Sequence, residues 1–183
     1  MSLRTVAESW GGKQTEQYIQ QIGLRLNRPQ LLPKSMEGVC AGLSLIWLAS
    51  YKANLTSEIF STAKKYTSSL FKYAERASLL GGDLSKGMAA FDNTARALSL
   101  NDMGTILINN RNIGRQVVNG PSSYVLIMVS GHAAAVKLMP PTAIFFEPNA
   151  GIFTFPSTTS IEFFLEDYLK EVKRFAKRLK FYN

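Results

Sequence analysis

The chain has 183 residues, 46% of them hydrophobic and 19% charged, a globular composition far from the charge-rich signature of disorder and a length suited to one domain. Its 21 basic against 13 acidic side chains leave a formal charge of +8. The single cysteine, Cys40, excludes an intramolecular disulfide, and with only one histidine, His132, beside it a zinc site of the Cys₂His₂ kind is excluded too.

In chain order, the first 30 residues hold no apolar run of the kind a signal peptide needs, because Arg4, Glu8, Lys13 and Glu16 interrupt it. Cytosolic synthesis without a Sec signal is the expectation, and export by a specialised machine would leave no mark here. This N-terminal segment, residues 1–30, is expected to be helical. Tyr18, Ile19, Ile22 and Leu26 recur every three or four positions over residues 14–26, and Pro29 and Pro33 end the pattern. Residues 40–51 are apolar almost all round and predict a buried central helix, too short for the ~20 residues a membrane span requires. Two further helices complete a helical part over residues 40–100. One covers residues 57–80, with Thr56 or Ser57 as N-cap and Gly81-Gly82 as stop; the other covers 85–98, with Met88, Phe91, Ala95 and Leu98 on one face.

Beyond residue 100 the pattern changes from helix to strand. Residues 105–108 are ambiguous and 111–118 suit a short helix. After Asn119-Gly120-Pro121, the β-favouring runs 124–129, 134–139, 143–146 and 152–155 form an antiparallel sheet within residues 121–156, with tight turns at Pro140-Pro141 and at Glu147 to Gly151. A closing helix is expected over residues 159–181. Thr159 and Glu162 have capping-box spacing, Glu162, Glu166 and Asp167 lie at its start, and Lys173, Arg174, Lys177 and Arg178 at its end. Helices first, sheet afterwards and one helix to close make an α+β fold in a single domain over residues 1–183.

Three stretches carry candidate chemistry. Cys40 opens the apolar helix, where unpaired backbone N–H groups and the positive end of the helix dipole favour a thiolate, although a lone cysteine also serves as a small core residue. His132 follows a strand and Gly131 and precedes Ala133-Ala134-Ala135, small neighbours that leave an imidazole open on one side; a satisfied structural histidine is the plainer reading. Cysteine and histidine need to meet in space, not in sequence, to form a thiolate–imidazolium pair. A base of this kind needs a third group to hold its ring. Glu147, at the end of one strand run, can lie beside His132 if the two strands pair, and Asn149 is the alternative; equally, Glu147-Pro148-Asn149-Ala150-Gly151 is hairpin chemistry in which Gly151 supplies a positive φ.

Gly38-Val39-Cys40-Ala41-Gly42-Leu43-Ser44 with Trp47-Leu48, Gly131-His132-Ala133, and Glu147-Pro148-Asn149-Ala150-Gly151 with Phe153 together resemble the YopT/AvrPphB family of papain-fold cysteine proteases, bacterial virulence effectors and toxin domains. The motifs cover about a third of the chain. The resemblance implies a papain-like fold with the cysteine-bearing helix packed on an antiparallel sheet, a Cys-His-acid triad of Cys40, His132 and Glu147, and no cofactor. It also implies a host protein as substrate, a small GTPase or a kinase among the candidates, and secretion or translocation into the host cell.

Two departures stand out. Glu147 replaces the family's aspartate and is one methylene longer, so either it or Asn149 orients the ring. The Gln or Asn that papain-like enzymes often place before the cysteine is missing from Pro33-Lys34-Ser35-Met36-Glu37, which leaves the Cys40 backbone N–H and Ser35 as oxyanion donors; losing one such donor costs about 10²–10³ in rate. The same thioester chemistry suits an acyltransferase, deamidase or transglutaminase, and a drifted triad leaves a basic binding module. The positive charge suits an anionic membrane surface or acidic partners. Its one dense cluster, residues 170–180, reads as a solvated helix face, and no nucleic-acid motif is present.

Overall fold

The apolar runs of the second half are near-continuous, which usually marks strands buried on both faces. They lie at the centre of a 7-stranded, wholly antiparallel sheet in the computed structural model, which describes residues 2–17, 40–54, 88–108, 112–129, 132–171 and 176–183. The described elements, in chain order, are α1 (Leu3–Ser9), β1 (Lys13–Gln17), α2 (Cys40–Lys52), α3 (Met88–Ala97), β2 (Asp102–Leu107), α4 (Ile113–Val118), β3 (Tyr124–Val129), β4 (His132–Met139), β5 (Thr142–Glu147), β6 (Gly151–Phe155), α5 (Thr158–Glu171) and β7 (Ala176–Tyr182). The sheet order is β1-β6-β5-β4-β3-β7-β2, so β4, which opens with His132, is the middle strand. The four-strand meander β3 to β6 falls where the sequence puts it, and the α+β fold is observed.

Strand alternation divides the hydrophobic side chains between two layers. On one face, which we call the far face, Val125, Ile127, Ala134, Val136, Phe145, Phe153, Leu179 and Phe181 pack against α1, α4 and α5. On the near face Leu126, Met128, Ala133, Ala135, Ile144, Phe146 and Tyr182 pack against α2 and the end of α3. Helix α2 is buried as its composition predicts, with Leu43, Leu45, Ile46, Trp47 and Leu48 all at most 3% exposed. Full burial contributes about 1.5–3 kcal/mol for each such side chain. The small Ala133 and Ala135 let α2 lie close on β4, where the Ser44 hydroxyl donates to the Ala133 carbonyl at 3.4 Å, and Trp47 stacks on Phe146 at 5.3 Å.

The far layer is built on the stripe Ile161, Phe164, Leu165, Tyr168 and Leu169 of α5, all buried, at the three- and four-residue spacing of one helix face. Gly114 brings α4 against α5, because a Cβ there would stand 2.0 Å from the Glu162 carbonyl oxygen. Its N–H donates to Glu166 Oε1 at 3.0 Å.

Three expectations are corrected. Residues 13–17 are not the start of a helix but the edge strand β1, paired with β6 (Gln14 opposite Phe153) and tied by Gln14 Nε2 donating to the Ala150 carbonyl at 2.9 Å. The apolar helical spacing begins only at Tyr18, outside the described residues, as are residues 57–80. Residues 105–108, ambiguous from sequence, belong largely to β2. The closing helix stops at Glu171 instead of 181: it is capped by Ser157, whose Oγ accepts the Ser160 N–H at 3.0 Å, not by Thr159, and the chain then returns as β7 between β3 and β2. The basic run hid a period-two pattern in which Leu179 and Phe181 enter the far core and Tyr182 the near one. Lys180 is consequently not on a solvated face. It is 1% exposed and forms ion pairs with Asp92 and Asp102.

Candidate active site

The register that pairs Ala135 with Phe146 sets Glu147 opposite Ala134, one diagonal step along the same face from His132. Both side chains therefore have the parity of the far-face residues Ala134 and Phe145. His132 Nε2 donates to Glu147 Oε1 at 2.7 Å, with the two residues 8% and 4% exposed. The turn Pro148 to Ala150 fixes the acid. The backbone N–H of Asn149 donates to the same Oε1 at 3.0 Å, that of Ala150 donates to the Glu147 carbonyl at 3.0 Å, and Gly151 takes the positive φ of +127° expected of it. The second carboxylate oxygen, Oε2, accepts the hydroxyl of Tyr168 from α5.

Cys40 reaches the site from the other layer. As the first residue of α2 it stands at the N-terminal end of a 13-residue helix, half-buried instead of sealed in the core. Helix α2 packs chiefly on β4, and Ser44, one turn after Cys40, is bonded to the residue next to His132. His132 is hydrogen-bonded to Glu147, and Cys40 lies close enough to bear on the charge of its ring. Burial disfavours its charged form, but the interactions with Cys40 and Glu147 outweigh it and raise the imidazole from 6.5 to about 9. For Glu147, burial pushes the carboxyl up, while hydrogen bonding to His132, the imidazolium charge, Tyr168 and the Asn149 N–H push harder and lower it from 4.5. The surroundings thus favour the charged imidazole, held by a carboxylate on the far face with the Cys40 end of α2 nearby.

Of the residues singled out from sequence, His132 and Glu147 are hydrogen-bonded at one end of the sheet, and Cys40 begins the helix packed on the strand that His132 opens. Asn149 is exposed and serves the site through its backbone, so the group on the ring is the Glu147 carboxylate; Ser35 lies outside the described residues. Sequence reasoning missed Tyr168. Its signal was available: it is the one polar-tipped residue in the apolar stripe of α5, and a buried phenol needs a partner. A surface cleft of about 430 Å³ bounded by Trp10, Arg115, Glu162 and Lys170 contains none of the three site residues. Among the described residues there is no group of three His, Cys, Asp or Glu able to hold a metal ion, and no helix long and apolar enough to cross a membrane.

Comparison with known proteins agrees with the resemblance read from the motifs. The Peptidase_C58 family model, described as Yersinia/Haemophilus virulence surface antigen, matches residues 115–180, which include His132 and Glu147. The avirulence protein AvrPphB of Pseudomonas is similar in structure, with a TM-score of 0.54 and 17% identity over 79% of this chain and 90% of that one. PatoxP, a cysteine protease-like domain of the Photorhabdus asymbiotica toxin PaTox, gives a TM-score of 0.61 and 12% identity over 99% of this chain, which spans 57% of its length. A search of curated proteins gave no match. Over residues 115–180 the chain carries the pattern of this peptidase family, on the fold shared by AvrPphB and PatoxP.

Proposed function

We propose that the chain is a papain-like cysteine protease in which Cys40 is the nucleophile, His132 the proton carrier and Glu147 the group that orients His132. One observation carries the reading: the only imidazole of the chain is hydrogen-bonded to a buried carboxylate, and the only thiol bears on that ring from the N-terminus of α2. The helix N-terminus and the imidazolium both stabilise negative charge on sulfur. The Cys40 thiolate adds to the scissile carbonyl, and the backbone N–H of Cys40, at a helix position without an intrahelical partner, donates to the oxyanion. His132 gives its proton to the departing amine, leaving a thioester. Water then attacks the thioester while His132 removes its proton, and the carboxylic acid is released as the sulfur departs as thiolate, restoring the thiolate–imidazolium pair. The virulence-antigen description of the matching family model, and the avirulence and toxin descriptions of AvrPphB and PaTox, support a host protein as substrate and delivery by a secretion system. The excess positive charge suits substrates presented at an anionic membrane.

Incubating the protein with host-cell extract and sequencing new termini by mass spectrometry tests the reading. New termini that vanish with Cys40→Ala, a variant expected to lose all activity and keep its fold, support proteolysis. Altered side chains on intact chains support transfer or deamidation instead. Unchanged cleavage by Cys40→Ala overturns Cys40 as nucleophile.

A further inference from the structure

Glutamate at position 147 poses a mechanical problem. Its side chain has one more rotatable bond than aspartate, and an unheld arm of that length samples many rotamers, at an ordering cost approaching ~2 kcal/mol. A loosely held acid orients a ring poorly. In the structure, however, both carboxylate oxygens are occupied. Oε1 accepts from His132 Nε2 at 2.7 Å and from the Asn149 N–H at 3.0 Å, and Oε2 accepts from the Tyr168 hydroxyl. The phenol is itself fixed: it is 1% exposed, with its ring edge-on to Phe145 at 5.1 Å and stacked on Phe164 at 5.8 Å. Removing that hydroxyl would take a hydrogen bond from a buried charged oxygen, a costly change.

We propose that Tyr168 is a positioning residue of the site: it grips Oε2 of Glu147 from the far face so that the longer acid presents Oε1 to His132 as a shorter acid would. It acts only through Glu147. The groups that bear on the carboxylate are His132 from β4, Asn149 from its own turn and Tyr168 from α5, with Cys40 of α2 beyond the ring. The inference deepens the proposed triad and rests on that reading for its link to catalysis, although the three-residue chain Tyr168, Glu147, His132 stands on geometry alone.

The chain's single histidine makes the test direct. The His132 Nε2 proton, bonded to a buried carboxylate, should give a lone far-downfield proton NMR signal whose loss in acid follows protonation of Glu147. Tyr168→Phe keeps the ring and removes one donor to a charged group. The signal should then broaden and its acid midpoint should rise by about one pH unit, a tenfold change in proton affinity. Phe164→Leu, which disturbs the same aromatic wall without touching the carboxylate, should leave the midpoint where it is. In a Glu147→Gln background, Tyr168→Phe should change nothing further in the ring signals. An unaltered signal and midpoint in Tyr168→Phe overturns the proposal, as does an equal shift in Phe164→Leu. Should Tyr168→Phe not fold, the unsubstituted protein still decides, because a Tyr168 hydroxyl proton that exchanges freely with water contradicts a buried bond to Oε2. Failure of the triad reading is separate: alkylation of Cys40 by iodoacetamide at pH 6, no faster than an ordinary thiol, overturns the nucleophile and leaves the Tyr168 result intact.

Discussion

The two faces of the sheet contribute to the site in opposite ways. The near face supplies Cys40, the proposed nucleophile, through a helix whose side chains are almost all apolar, and its approach is set by small residues: Ala133 and Ala135 give α2 room to settle, and Ser44 provides one polar tie. The far face supplies His132 and Glu147, the proposed base and its orienting acid, and there placement is set by bulk and by hydrogen bonds. Phe145, Phe153, Phe155 and Phe164 form a wall, and Tyr168 is the member of it that reaches the carboxylate. A reactive sulfur needs an exposed edge and a helix dipole, whereas an imidazolium needs a buried, fully bonded anion. Dividing the pair between layers that meet at the end of the central strand lets each have its own environment.

The strongest way to break the far side is Glu147→Gln. An amide cannot balance the imidazolium, so turnover should fall by about 10²–10⁴, in the range set by neutralising the acid of comparable triads. Breaking a buried ion pair should also cost about 3–5 kcal/mol of stability, read from denaturant melts. The pair has a pH signature. Because the fold raises His132 from 6.5 to about 9, its contribution is complete below pH 6.5 and should be lost as the pH rises from 6.5 to 9. Glu147, lowered from 4.5, contributes above pH 4.5 and loses that contribution as the pH falls through its folded value. Thermal melts of the parent protein should show both declines, and His132→Gln should lack the alkaline one.

A smaller effect separates the layers without touching the site. Gly114→Ala forces a methyl into the Glu162 carbonyl and pushes α4 off α5, so it should cost about 1–3 kcal/mol and lower turnover through the displaced far wall. Hydrogen exchange should speed up in α5 and leave α2 unchanged. The smallest effect is expected on the near face. Ser44→Ala removes one long hydrogen bond of 3.4 Å and should cost about 0.5–1.5 kcal/mol, since the apolar surface of α2 keeps its seat on β4.

What the sequence made legible follows from the same physics. The meander could be read because β-branched and aromatic runs end in unambiguous turns, and the buried helix because no polar face interrupts Leu43 to Leu48. With the strands in place, the separation of His132 and Glu147 follows from ordinary antiparallel register. The C-terminal strand could not be read, because the basic residues from Lys170 to Lys180 mimic a helix end, and only a cross-chain partner reveals that Lys180 is buried between Asp92 and Asp102. Strand β1 was hidden for a related reason: Lys13 to Gln17 is polar, and its pairing with β6 is a tertiary effect that local propensity does not encode. Tyr168 carried its message in one hydroxyl, which has meaning only once α5 is laid against Glu147.

All of this converges on the charge state of one ring. A proton NMR titration of the sole histidine should place His132 with a midpoint near 9, falling in Glu147→Gln and in Cys40→Ala as each partner is removed. A midpoint at or below 6.5 in the parent protein would contradict the account, because the imidazole would then be neutral at physiological pH and paired with neither neighbour.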